Sequence, residues 1–291
     1  MSLSLHHPAT VAEAVALAHS LGEGARFLAG GTDLIVQMNQ KRAAPEHLID
    51  LGRLQELTRI EEQGDAITLG ALSTHKAVER HQAFQGTLLA LAEAARVVGG
   101  HQIRNRGTIG GNIMNASPAA DVAVPLLALD AELTLRRVDN TRVVKLEDFL
   151  VRSGQTVRQE AELLTFIRFA KLPAASATSF LKAGRRRAME ISIVCVSARL
   201  TLDAVSGVCR DVRIGLGAVG ARTLRSHPAE QLLEGRAPGA DLLREAGRLA
   251  AQGCAPITDV RASADYRRRL VTTLVARALA RCLVRIEETR R

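Results

Sequence analysis

Two glycine pairs limit how this chain can fold. Gly30–Gly31 sits in "FLAGGTDLI", and Gly110–Gly111 sits in "RNRGTIGGNIMNASPAAD". Each stands beside a threonine where a short apolar run breaks. A glycine pair lets the backbone approach another group more closely than a Cβ permits. Successive backbone N–H groups in a tight loop make a concave anion site, and a nearby helix start adds partial positive charge. Either pair alone reads as an ordinary turn. Together they allow two facing loops to share one pyrophosphate, with Thr32, Thr108 and Asn112 as further donors. G-x-x-x-x-G-K-[ST] is absent, so a P-loop is excluded, and no Rossmann site is expected.

Around these pairs the chain alternates helix and strand patterns. "HPATVAEAVALAHSLGEG" reads as a helix with Thr10 and Glu13 at its start and Gly22 at its stop. "ARFLAGG", "HLIDL" and "AITLGAL" read as strands, and "TLLALAEAARVVGG" as a helix leading directly into the second glycine loop. Ser117 and Pro118 predict the start of a helix "PAADVAVPLLALD", with Pro125 as a kink. Beyond residue 160 the texture becomes long strands: "ELLTFIRF", "ATSFLKAG" and a hairpin through "SIVCVSARLTLD" and "VCRDVRIGLGAVG". Three helical patterns close the chain, the last starting at Ser263. An α+β fold in two domains, 1–175 and 176–291, follows.

Composition narrows the partners. No run of eighteen apolar residues occurs, so no membrane span is expected, and the N-terminus lacks a secretory pattern. Cys195, Cys209, Cys254 and Cys282 form no C-x-x-C pair and read as core residues in a reducing compartment, so the cytoplasm is the expected location and no metal site is assigned. His47 and His75 have no metal-spaced companions. Residues 1–176 hold 18 Lys and Arg against 19 Asp and Glu; residues 177–291 hold 21 against 11. The second half is therefore basic and suits an acidic protein partner. With 2% aromatic residues and no tryptophan the chain lacks base-stacking platforms, so nucleic acid is not expected.

"AGGTDL" at 29–34 and "IRNRGTIGGN" at 103–112, followed by "ASPAAD" at 116–121 and "SADYRRRL" at 263–270, resemble the FAD-binding medium subunits of the molybdenum hydroxylases. This is the family of xanthine dehydrogenase, carbon monoxide dehydrogenase and 4-hydroxybenzoyl-CoA reductase. The resemblance implies an FAD domain of two subdomains, of vanillyl-alcohol-oxidase type, and a C-terminal domain of antiparallel strands and helices. It implies FAD on this chain, molybdopterin on a large partner, [2Fe–2S] centres on a small one, and a dimer of heterotrimers. No catalytic base or nucleophile is assigned here.

By the same resemblance, Phe27, Leu28, Ala29, Gly30, Gly31, Thr32, Asp33 and Leu34 form the first pyrophosphate loop. Thr108, Ile109, Gly110, Gly111 and Asn112 form the second. Asp121 matches an acid at the ribose or adenine end, Val98 and Leu164 match apolar flavin neighbours, and Lys182 matches a lysine beside the isoalloxazine. No cysteine precedes Cys195, so the extra iron–sulfur cluster of the 4-hydroxybenzoyl-CoA reductases is not expected. Two alternatives stand beside this reading: a self-contained flavoenzyme on the same fold, and a flavin-free docking protein with a basic C-terminal half.

Overall fold

The computed structural model describes residues 3–186 and 189–290. Three apolar cores organise them, each built on one sheet. The first sheet is parallel. Its strands β1 (Ser4–His6), β2 (Ala25–Leu28) and β3 (His47–Asp50) run in the order β1-β3-β2. Helix α1 (Val11–Leu21) starts where the Thr10 hydroxyl accepts the Glu13 N–H at 3.1 Å, and it stops at Gly22, whose φ is 61°. Its Val11, Ala14, Val15 and Ala18 recur at helical spacing and pack with Ile49, Leu54 and Leu57. Helix α2 (Leu34–Asn39) follows the first glycine pair and buries none of its residues.

The second sheet is antiparallel. It contains β4 (Ile60–Gln63), β5 (Ala66–Gly70), β6 (Glu132–Arg136), β7 (Thr141–Lys145) and β10 (Leu163–Ala170), in the order β4-β5-β10-β6-β7. Between β5 and β6 lie five short helices: α3 (His75–Arg80), α4 (Leu89–Arg96), α5 (His101–Arg106), α6 (Ile109–Met114) and α7 (Ala123–Ala128). Leu91, Ile109, Ile113 and Leu126 from these helices pack with Leu69, Leu133 and Ile167 of the sheet. A one-turn helix α8 (Leu146–Phe149) and the ribbon of β8 (Leu150–Arg152) and β9 (Gln155–Thr156) lie between β7 and β10.

The third sheet pairs β11 (Ser176–Ala183), β12 (Val194–Leu202), β13 (Cys209–Gly217) and β14 (Leu224–Arg225) antiparallel in sequence order. Helices α9 (His227–Leu233), α10 (Ala240–Gln252) and α11 (Ala264–Arg290) complete this half. Helix α11 lies against β11 and β12, while α7 packs against β12 and β13 and α4 against β11. Almost every residue of β12 is therefore buried, the alternating polar residues Ser197 and Arg199 included. The fold is the α+β arrangement expected from the sequence.

Three local expectations change. Ser117 does not start a long helix. Its hydroxyl accepts the Ala119 N–H at 3.2 Å in a turn, and α7 begins only at Ala123. The intervening residues are held by tertiary bonds instead: Pro118 O accepts the Ala218 N–H at 2.6 Å, and the Asp121 carboxylate turns away toward the C-terminal half. Pro125 then falls in the first turn of α7, where no amide bond is lost and no kink is needed. The second glycine pair is preceded by helix α5 and is itself helical, inside α6. The chain also contains one G-x-G-x-x-G spacing, Gly215-Gly217-Gly220. It closes an antiparallel strand rather than opening a βαβ unit. Gly215 is small because the Val124 carbonyl of α7 presses on it, so this spacing is a packing device and not a Rossmann fingerprint.

Candidate cofactor cleft

The two glycine segments meet. A Cβ on Gly30 would collide with the Arg106 carbonyl and crowd Gly107, so the first segment can lie against the second only without a side chain there. Gly31 has φ of 74°, the left-handed region that glycine enters without strain. This sharp turn ends β2 and leads into α2. The backbone N–H groups of Gly30, Gly31, Thr32, Asp33 and Leu34 make no hydrogen bond to any acceptor among the described residues. Consecutive free amides on a turning backbone form an anion cradle. The Asp33 carboxyl beside it is raised above its ordinary range by burial.

The second segment contributes differently. The Thr108 hydroxyl caps α6 by accepting the Gly111 N–H at 3.0 Å. The Ile109 and Gly110 N–H groups are spent on Ser73 O and Ala71 O, both at 2.9 Å. A Cβ on Gly110 would stand 2.6 Å from the Ala71 carbonyl, so this glycine serves close packing against the strand end. Ile109 is fully buried in the second core and does not face the cleft. The second segment is thus a capped helix start, and the first supplies the free amides. Asn112 lines the cleft, and its side-chain oxygen, an acceptor, is buried there with no partner. His75 Nδ1 is likewise unpartnered. Burial, reinforced by the Arg104 guanidinium, pushes the His75 imidazole down to about 4, so it stands neutral beside the cradle at pH 7.

Around the cradle runs a cavity of about 240 Å³ lined by Phe27 through Leu34, Val98, Thr108, Gly111 and Asn112. It shares Arg26, Phe27, Ala29, Gly111 and Met114 with a larger cavity of about 660 Å³, which Gly110, Leu164 and Arg158 also line. Leu164 lines the larger cavity and Val98 the smaller.

Lys182 lies on β11 in a third cavity of about 380 Å³, with Val97 and Glu190. Its ammonium donates to Asp121 Oδ2 at 2.6 Å and lies 3.5 Å from Val97 O. The Ser192 hydroxyl donates to Asp121 Oδ1 at 2.5 Å. Burial raises the Asp121 carboxyl, while the Lys182 ammonium and the Ser192 hydroxyl oppose that rise. A pair this close cannot stand at opposite ends of a dinucleotide. Asp121 does not stand apart from Lys182, although the sequence resemblance puts the one at the ribose or adenine end and the other beside the isoalloxazine. Nor does it support a helix start, because α7 begins after it. Arg26, Met114, Arg158 and Ser192 carry no motif, and sequence reasoning passed over them.

Free amides on a turning backbone, with two adjoining cavities around them, suit a protein that binds an anionic cofactor. Residues 1–172 match the family described as the FAD binding domain in molybdopterin dehydrogenase, and residues 179–282 match the CO dehydrogenase flavoprotein C-terminal domain. The chain belongs to this flavoprotein family, the FAD-binding medium subunits of the molybdenum hydroxylases. It is 33% identical over 282 residues to the carbon monoxide dehydrogenase medium chain of Hydrogenophaga pseudoflava, covering 95% of this chain and 97% of that one. The xanthine dehydrogenase FAD-binding subunit of Escherichia coli O157:H7 is 30% identical over 279 residues, with 95% and 94% covered. The solved carbon monoxide dehydrogenase of Hydrogenophaga pseudoflava superposes with a TM-score of 0.93 at 32% identity, covering 98% of each chain. The family membership sets aside a flavin-free docking protein. Among the described residues no helix is long and apolar enough to cross a membrane.

Proposed function

We propose that this chain is the flavin station of a three-chain oxidoreductase of the cytoplasm. Electrons leave an organic or small inorganic substrate at the molybdopterin centre of a large partner, cross [2Fe–2S] centres of a small partner, and reach FAD on this chain. NAD or another acceptor then removes them, and the assembly is a dimer of such heterotrimers. The carrying observation is the row of free amides from Gly30 to Leu34 pressed against the capped start of α6. Those amides, with Thr32 and Asn112, hold the diphosphate. The larger cavity by Leu164 takes the adenosine side, and Val98 with the Asp121–Lys182 pair takes the flavin side. When bound, FAD supplies the redox chemistry, and this chain binds, orients and shields it. The division at 175/176 separates the cofactor domain from the sheet that carries Lys182.

The test is a titration of the full chain with FAD and with FMN, followed by anaerobic mixing with substrate. FAD is expected to bind far more tightly than FMN, which has no diphosphate bridge or adenosine. The bound flavin is expected to stay oxidised with substrate alone and to bleach once both partner chains are added. Equal affinity for FMN removes the diphosphate assignment. Full-rate bleaching of the lone chain makes it a self-contained flavoenzyme.

A further inference from the structure

"SADYRRRL" at 263–270 resembles the closing segment of the family and opens helix α11. Its Arg267 is 3% exposed, which is rare for an arginine and costly unless the guanidinium is fully engaged. The guanidinium donates to Ile193 O at 2.7 Å, to Ala218 O at 3.0 Å and to Asp259 Oδ1 at 2.7 Å. Burial would raise the Asp259 carboxyl, but the Arg261 N–H and the Arg267 and Arg261 guanidiniums hold it far below the ordinary range. The arginine is thus fixed by a permanent anion and gives further donors to two carbonyls, while its Nε stays buried without a partner.

Those two carbonyls bracket the Asp121 site. Ile193 follows Ser192, whose hydroxyl donates to Asp121 Oδ1. Ala218 has φ of 62°, a left-handed conformation unfavourable for a residue with a Cβ. Its N–H donates to Pro118 O at 2.6 Å, which sets the turn that delivers Asp121. Behind the carboxylate, Gly217 packs without a side chain against Cys195 Sγ and Val124. One side chain of α11 therefore holds both segments that aim the Asp121 carboxylate at Lys182.

We infer that Arg267 is a positioning residue for the flavin site, acting through Ser192 and the Pro118–Asp121 turn to fix the Lys182 ammonium. It touches neither cofactor nor substrate. Orientation of a contacting group by a buried partner is a general device, and its loss commonly costs about 10- to 100-fold in metal sites. A lysine in its place offers a point charge rather than a fork and cannot span the two carbonyls and the carboxylate in the same way. The inference rests on the proposal that Lys182 meets the flavin.

The experiment uses the full chain and measures FAD dissociation constant, visible flavin spectrum, flavin midpoint potential and thermal midpoint. Lys182→Met comes first: if neither affinity, spectrum nor potential moves, the underlying assignment fails and the inference with it. Given an effect there, Ser192→Ala, Asp259→Asn, Arg267→Gln and Arg267→Lys are expected to weaken FAD binding by about tenfold. Their spectra and potentials shift in the same sense as Lys182→Met, with Arg267→Lys recovering part of the loss. In a Lys182→Met background the Ser192→Ala and Asp259→Asn losses vanish, because they act through that ammonium. Losses that add fully in that background, or thermal destabilisation with spectrum and potential unchanged, reduce Arg267 to a fold-holding residue and overturn the inference. Ser192→Ala and Asp259→Asn keep the test decisive if both Arg267 variants fail to fold.

Discussion

Gly30 and Gly110 have the same neighbour in sequence, a second glycine, but different reasons to lack a side chain. Gly30 yields to the other cofactor segment, whereas Gly110 yields to the strand end at Ala71. Gly30→Ala should push the two segments apart. A stability loss of about 1–3 kcal/mol from overpacking is expected together with loss of FAD retention. Gly86→Ala, where nothing lies within 4 Å of the new Cβ, should leave both unchanged. Calorimetry and flavin content of the purified variants check this. Gly110→Val is a folding probe, since its branched side chain meets the Ala71 backbone before any cofactor. His75 adds an acid-sensitive term. Its folded value of about 4 lies below the ordinary 6.5, so the unfolded chain binds the extra proton between those values. Stability is then complete above pH 6.5 and falls as pH drops toward 4, by up to ~3 kcal/mol from this residue. Urea unfolding across that window should show the slope, and His75→Gln should flatten it.

Among the elements, cap residues were legible where the next bonds were local. Thr10 and Ser263 were read correctly as helix starts, because each hydroxyl meets an N–H three residues on. Ser117 carries the same signal and forms a turn, because Pro118 O and the Asp121 carboxylate are claimed by Ala218, Lys182 and Ser192 from the other half of the chain. No spacing within "ASPAAD" records a partner some seventy residues away. The cofactor cleft shows the same division. Its amide cradle was visible as "AGGTDL", but Arg158 reaches the larger cavity, and Ser192 reaches Asp121, through tertiary packing alone. Thr108 stands on both sides of this line, being a helix cap and a cleft residue. Thr10→Ala and Thr108→Ala should each cost about 1 kcal/mol of stability for the lost cap. Only Thr108→Ala should also weaken FAD binding, since α6 carries Asn112. Equal FAD affinity in both variants would confine Thr108 to capping.

At the scale of the whole molecule, the basic character of the second half has an internal use. Asp130 follows α7 in the first half, and it receives Arg199, Arg213 and Arg225 from the third sheet. Glu93 of α4 receives Arg281 and Arg285 of α11 and also accepts the Phe180 N–H at 2.9 Å. Much of the basic charge of the second half therefore joins the two halves, which leaves exposed residues such as Arg268 for a docking surface. The two sets should respond differently to salt. The Glu93 carboxylate is 16% exposed and Arg285 is 15% exposed, so mobile ions screen their pairing little. Glu93→Gln leaves two arginines short of an anion and should destabilise the chain by roughly 3 kcal/mol at low and at high salt alike, because the penalty is that of an unpaired buried charge. Association with the partner chains, steered by the exposed arginines, should slow as salt rises. Thermal unfolding of the variant at two ionic strengths, alongside stopped-flow assembly of the native chain, separates the two. A Glu93→Gln deficit that disappears in high salt would mean that the halves meet through solvent-screened charges, and that their apolar contact alone holds them in register.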